Sequence, residues 1–226
     1  MKYQIENAPV FSTLRVILDK GESIRAEAGA MVSMSSSIEL EAKTAGQGLF
    51  GTLKAAVGGE SFFAALYTAT RDNSELVLAP AVLGDITVFE LKGNTIFAQS
   101  GAYLAGSNEL QLSTQGSFKA LISGEGLFLQ KISGNGVVFL SSYGAIIEKK
   151  LAPGETYRVD TGHIVAFEES VQYHIKKAAK GLFASFASGE GLVGEYRGPG
   201  TIWLQTRNLP AFANVLARFL PHKNND

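Results

Sequence analysis

Short runs in which apolar and polar positions alternate dominate this chain. Ile24, Ala26 and Ala28 share one face while Arg25 and Glu27 share the other; Tyr157, Val159 and Thr161 alternate with Arg158 and Asp160. Ile202, Leu204 and Thr206 alternate with Gln205 in the same way. A period of two, rich in β-branched and aromatic residues, predicts half-buried strands. The stretches "RDNS", "SGNG" and "RGPG" fall between such runs and supply the Gly, Asn, Asp and Pro that hairpin tips require. Helical periodicity is concentrated near the end, in "NLPAFANVLARFLP". There Asn208 can cap, Pro210 suits the first turn, Phe212, Val215, Leu216 and Phe219 share a face, and Pro221 ends the run, so a helix is predicted over 209–220. Shorter helical turns are expected at 48–57 and 176–187, and a frayed tail at "HKNND".

The alternation is itself repeated. "LDKGESIRAEAGAMVSM", "ELKGNTIFAQSGAYLAG" and "KLAPGETYRVDTGHIVAF" each carry a turn glycine followed eight positions later by a second: Gly21 and Gly29, Gly93 and Gly101, Gly154 and Gly162. Farther on, each copy reaches a glycine-glutamate step and an apolar run, "GGESFF", "SGEGLF" and "SGEGLV". Self-similarity at a fixed period indicates stacked supersecondary units. Three β-rich pseudo-repeats are predicted, at about 15–85, 86–148 and 149–208. With no Ser/Pro-rich or charged linker between them, they are expected to fuse into one compact domain over 1–226.

Composition narrows the function classes. Of 226 residues, 46% are hydrophobic and 18% charged, below the roughly 25% charged that soluble domains usually carry. Apolar surface covered by a partner or another copy would account for this. A net charge of −1 gives no overall attraction to nucleic acid. The absence of cysteine excludes disulfides, thiolate chemistry and cysteine zinc motifs. The N-terminus has no apolar stretch behind a basic start and carries Glu6, Asp19, Glu22 and Glu27, so no secretory or transit signal is visible and the cytoplasm is the expected compartment.

Candidate chemistry is sparse. Gly46, Gly48 and Gly51 spell G-x-G-x-x-G, with Asp72 about 20 residues on. A dinucleotide fingerprint needs a buried parallel strand before it and a full crossover helix after it. Here "SIELEAKTA" alternates like a half-exposed antiparallel strand, and Asp72 falls in a hairpin tip. A second instance, at Gly189, Gly191 and Gly194, lies at a different phase of the repeat, so no cofactor is predicted. His163, His174 and His222 form no ligand spacing, and His163 reads as a histidine near a turn. Lys176, Lys177 and Lys180 beside Phe183 and Phe186 read as a solvated helix end. Glu60, Glu125 and Glu190 are evenly spaced by about 65 residues. If the units pack around a pseudo-threefold axis, these carboxylates could converge and hold a cation; the simpler reading leaves each at a turn facing water. No catalytic residue is predicted.

"GLFASFASGEGLVGEYRGPGTIWLQTRN", together with "AEAGAMVSM" and "GGESFF", resembles the mitochondrial-biogenesis AIM family, a conserved domain family of unknown function, over about residues 3–220. The resemblance implies an all-β fold of the class of the tryptophan RNA-binding attenuation protein, a short variant of the double-stranded β-helix or β-sandwich with internal duplication. It also implies a mitochondrial, inner-membrane setting for eukaryotic relatives and a cytoplasmic one for prokaryotic relatives, which this chain matches. It carries over no catalytic residue, and shared architecture alone does not imply RNA binding.

The expectation is therefore a non-enzymatic, self-associating binding or assembly protein, a homo-oligomer that presents a surface to a protein or membrane partner. The expected interface is Leu49, Phe50 and Leu53 with Leu182, Phe183 and Phe186, all in glycine-flanked apolar segments. The alternative is a small-molecule- or metal-binding enzyme with a pocket inside the β-helix.

Overall fold

The computed structural model describes residues 1–44, 63–115, 129–177 and 192–220. Among the described residues the chain is mostly β, with antiparallel sheets and one α-helix near its end. The strands run β1 (Lys2–Glu6), β2 (Thr13–Leu18), β3 (Ser23–Glu27), β4 (Met31–Met34), β5 (Ile38–Thr44), β6 (Phe63–Ala69) and β7 (Ser74–Leu78). Then come β8 (Ile86–Gln99), β9 (Tyr103–Ser107), β10 (Gln111–Gln115), β11 (Leu129–Ser141) and β12 (Ile146–Leu151). The last are β13 (Thr156–Asp160), β14 (Ile164–Glu168), β15 (Gln172–Lys177), β16 (Leu192–Arg197) and β17 (Gly200–Gln205), followed by helix α1 (Leu209–Ala217).

Among the described residues the strands form three sheets. One is ordered β1-β2-β7-β4 and another β13-β16-β15. The largest runs β12-β17-β14-β8-β11-β9-β3-β6-β5, with β10 also on β11. Alternation along the sequence sets the register. Leu14, Val16 and Leu18 of β2 are fully buried, and the β7 register places Leu78 and Leu76 opposite the first two of them. Arg15, on the other face, meets Glu75. Slipping β2 by one residue would turn these leucines and Val16 to water, so burial of one face fixes the pairing.

Among the described residues the core lies in three clusters. Leu14, Ile24, Leu76, Leu104 and Phe139 pack in the first; Ile96, Ile132, Val138, Leu140 and Val165 in the second. Leu129, Ile164, Phe167, Tyr196 and Ile202 form the third, where the Phe167 ring lies 5.4 Å from Tyr196 and 5.3 Å from Phe97. Burying each such side chain stabilises the fold by about 1.5–3 kcal/mol before the entropic cost of ordering it.

Several details recur at three places along the chain. Backbone N–H groups of Glu75, Val137 and Thr201 donate to the side chains of Ser35, Ser107 and Glu168, each at 2.9 Å. Those same three residues accept at their carbonyls from Ile38, Leu110 and Val171, at 3.0, 3.2 and 3.0 Å. A register shift interrupts β4 on β7 between Met31 and Ser33, β9 on β11 at Phe139/Leu140, and β14 on β17 between Ile164 and Ala166. Gly21, Gly29, Gly93, Gly101 and Gly154 all have φ between +78° and +87°, a region costly for residues with a Cβ. Gly162 departs from this set, sitting instead in a short 3-10 turn, Thr161–His163, where Asp160 accepts from its N–H at 2.7 Å.

Three expectations need correction. Gly93 and "SGNG" do not reverse the chain: β8 and β11 run through them as long strands with an irregularity between Ser133 and Asn135. Each strand is held along its length by the other, so glycine here relieves a bend rather than closing a hairpin. Lys176 and Lys177 belong to β15, not to a helix, because β16 supplies antiparallel partners as far as Leu192. The final helix stops at Ala217 rather than running to 220, and none of its residues is buried.

Candidate functional site

The residues on which sequence reasoning placed most weight lie outside the described residues: Glu60, Glu125 and Glu190, and Leu49, Phe50, Leu53, Leu182, Phe183 and Phe186. So do the glycines of both G-x-G-x-x-G stretches except Gly194, which sits in β16. A Cβ on Gly194 would approach the Tyr196 ring to 2.6 Å, so this glycine serves packing.

The remaining candidates have structural partners or stand apart. Asp72 sits in the turn between β6 and β7, which is not the hairpin tip expected because the two strands pair in different sheets, and it accepts from the Lys20 backbone N–H at 2.9 Å. The His163 Nδ1 lies 2.8 Å from the Gln205 carbonyl; since a carbonyl only accepts, Nδ1 carries the proton in this bond. Gln205 in turn donates to the Gly162 carbonyl at 2.9 Å and accepts from the Tyr143 N–H at 2.8 Å. His163 is thereby part of a structural clasp. His174 is exposed on β15. Lys176 donates to Glu195 at 3.1 Å and Arg158 to the same carboxylate at 3.2 Å. These bonds, that from Lys176 foremost, hold the Glu195 pKa below the usual glutamate value. Among the described residues no group of three His, Cys, Asp or Glu could hold a metal ion.

Two exposed apolar surfaces remain. The first forms where the chain crosses between sheets. Phe11 bridges Gly84 and Gly84 bridges Gly144, with the Ser12 N–H donating to the Gly84 carbonyl at 3.2 Å and the Asp85 N–H to the Gly144 carbonyl at 3.1 Å. Close approach demands glycine here, since a Cβ on Gly84 would stand 1.7 Å from the Ser142 carbonyl oxygen. Beside this junction the Tyr143 ring lies 5.9 Å from Phe212 of α1, and the Asn208 side chain caps that helix by accepting from the Ala211 N–H at 3.1 Å. Val10, Phe11 and Leu83 are exposed in the loops, and Leu209, Phe212, Val215 and Leu216 on the helix. Within α1 every residue but Asn214 is apolar, yet none is buried. A helix apolar on all sides belongs in an interior.

The second surface is β4, whose Met31, Val32 and Met34 are exposed. It is the last strand of its sheet, so one backbone edge has no strand neighbour among the described residues. Sequence reasoning missed both surfaces. Their signals were an apolar run without alternation, "AMVSM", and apolar residues beside loop prolines, "APVF" and "PAVLG".

Among the described residues three tyrosines, Tyr67, Tyr103 and Tyr196, are buried. Desolvation pushes the Tyr103 and Tyr196 phenols well above the ordinary tyrosine value. Tyr103 donates to the Arg25 carbonyl at 3.2 Å, whereas the Tyr196 hydroxyl has no hydrogen-bond partner among the described residues. The Arg25 guanidinium reaches across to the carbonyls of Asn108 and Leu110, the latter at 2.8 Å, joining β3 to the turn before β10. Raised phenol pKa values keep these groups neutral near pH 7.

The sequence pattern described as Mitochondrial biogenesis AIM24 matches residues 3–207. An uncharacterized protein of Streptococcus pyogenes serotype M6 is 33% identical over 234 aligned positions, covering 100% of this chain and 93% of the relative. An X-ray crystal structure of a protein from Streptococcus pyogenes superposes with a TM-score of 0.82 at 30% identity, covering 97% of this chain and 99% of that one.

Proposed function

This chain belongs to the Mitochondrial biogenesis AIM24 family, and from that premise we propose that it is a self-associating, non-enzymatic assembly protein presenting an apolar surface to a protein or membrane partner. The observation that carries this reading is α1: a helix apolar at every position but Asn214, held by its cap and by Tyr143 beside the loops of Phe11 and Leu83, with no residue buried. Exposed apolar surface of this kind marks interaction sites.

The fold reading that accompanies it is three units, about 15–85, 86–148 and 149–208, in the class of the tryptophan RNA-binding attenuation protein. The three Ser35-type hydrogen bonds, the three carbonyl turns and the three register shifts support it. Units with equivalent edges are suited to stacking, within a chain or between copies.

Native mass spectrometry of the full chain tests self-association: multiples of 24.0 kDa are expected, and a monomer at every concentration up to tens of micromolar would sink it. Flotation with phosphatidylcholine and phosphatidylglycerol vesicles then identifies the partner class. Binding lost in Leu216→Glu assigns α1 to a membrane; no binding by the parent chain assigns it to protein.

A further inference from the structure

Two seams inside the chain share one register. β3 lies against β9 with Ile24 opposite Ser107, Arg25 opposite Gly106 and Ala26 opposite Ala105. β8 lies against β14 with Ile96 opposite Glu168, Phe97 opposite Phe167 and Ala98 opposite Ala166. Aligning the repeated stretches on Gly21, Gly93 and Gly154 makes Ile24, Ile96 and Tyr157 equivalent, and likewise Ser35, Ser107 and Glu168. By that alignment β13 is the counterpart of β3, and β4 the counterpart of β9 and β14. A third seam of the same kind would join β13 to β4, yet within the chain these strands stand at the ends of two different sheets.

Burial marks the same two strands as incomplete. Val32 of β4 is 58% exposed, while its equivalents Leu104 and Val165 are 0% and 1% exposed. Tyr157 of β13 is 40% exposed, while Ile24 and Ile96 are 0% and 2%. The apolar character of these positions is kept, and only the neighbouring strand is missing. Other sheet-end strands carry lysines that discourage strand addition, Lys149 and Lys150 in β12 and Lys176 and Lys177 in β15. β4, reading Met-Val-Ser-Met, carries no charge and no proline.

We infer that β13 of one copy takes up β4 of a second copy as an added antiparallel strand, with Tyr157 opposite Ser35, Arg158 opposite Met34 and Val159 opposite Ser33. This names the contact that underlies the self-association proposed above, and rests on that reading. The occupant is a second copy because the chain already makes the seam twice with its own strands, in this register. In the first seam Arg25 holds the Asn108 and Leu110 carbonyls; Arg158, its equivalent, is placed to hold those of Ser36 and Ile38 in the neighbouring copy. Joining two unlike edges is a heterologous contact, which propagates head to tail into a ring or a filament.

The chain has no cysteine, so engineered thiols report cleanly. Directly opposed residues in an antiparallel pair have Cα atoms about 4.5–5.5 Å apart, within disulfide reach. A mixture of full-length Ser33→Cys and Val159→Cys chains, oxidised mildly, should give a disulfide-linked dimer that neither variant gives alone. Val32→Lys, at a position already exposed in the single chain, should keep its circular dichroism and fall to a 24.0 kDa species in native mass spectrometry. An oligomer whose mass survives Val32→Lys and whose thiols do not cross-link overturns this contact while leaving self-association standing. An intramolecular bond in the double variant, with no linked dimer, overturns it in favour of closure within one chain. A parent chain that is monomeric throughout removes both readings.

Discussion

The Ser107 hydroxyl accepts a hydrogen bond from the backbone N–H of Val137 at 2.9 Å, just past the Val138–Gly106 pair that ends the β9–β11 ladder. A side chain thus satisfies a backbone donor where the ladder stops. Ser107→Ala leaves that N–H without its acceptor and is expected to cost about 1–2 kcal/mol. Urea denaturation checks this, and an unchanged midpoint would mean that water replaces the hydroxyl.

Tyr196 presents the opposite case, a buried hydroxyl with no partner among the described residues. Removing it leaves the ring contacts with Phe167 and Tyr173 in place. Tyr196→Phe is expected to raise stability by up to about 1 kcal/mol, since an unsatisfied buried polar group is lost. Phe167→Ala, which empties the centre of the same cluster, is expected to cost about 3–5 kcal/mol. Thermal unfolding of the two variants should therefore shift in opposite directions.

Gly84 is required by distance. The Ser142 carbonyl oxygen lies where a Cβ would stand, and backbone cannot swing aside as a flexible side chain can. Gly84→Ala should cost about 3 kcal/mol, the upper part of the usual range for overpacking. Chemical denaturation measures it, and near parent stability would show that the junction of Phe11, Gly84 and Gly144 is loosely held.

Glu195 gives a pH test. Hydrogen bonds from Lys176 and then Arg158 lower its folded pKa, so the stabilisation is present above the ordinary glutamate value and is lost as pH falls through the lower folded value. Carboxyl-carbon NMR should place its midpoint below that of an unperturbed glutamate, and Lys176→Gln should move the midpoint upward. Equal midpoints in parent and variant would show that the pairing is not maintained in solution.

Much of the fold was legible because its signals are local. Alternation at Ile24, Ala26, Tyr157 and Val159 marked the strands, and Gly21, Gly93 and Gly154 marked positive-φ positions, because both depend only on a residue and its immediate neighbours. Asn208 and Pro210 likewise fixed where α1 begins, for capping is a property of one turn. The same periodicity put Phe212, Val215 and Leu216 on one face of α1, but period alone does not say what stands opposite, and the fold leaves that face exposed.

What the sequence by itself determined is a mostly β chain with an echo of one pattern in three places. The tertiary structure decided which edges meet: β3 on β9, β8 on β14, and neither β4 nor β13 on the other. Strand pairing joins residues far apart in the chain through backbone groups that every residue carries, so it leaves little trace in side-chain pattern. Only the fold therefore shows that the apolar side chains of Val32 and Tyr157 are exposed.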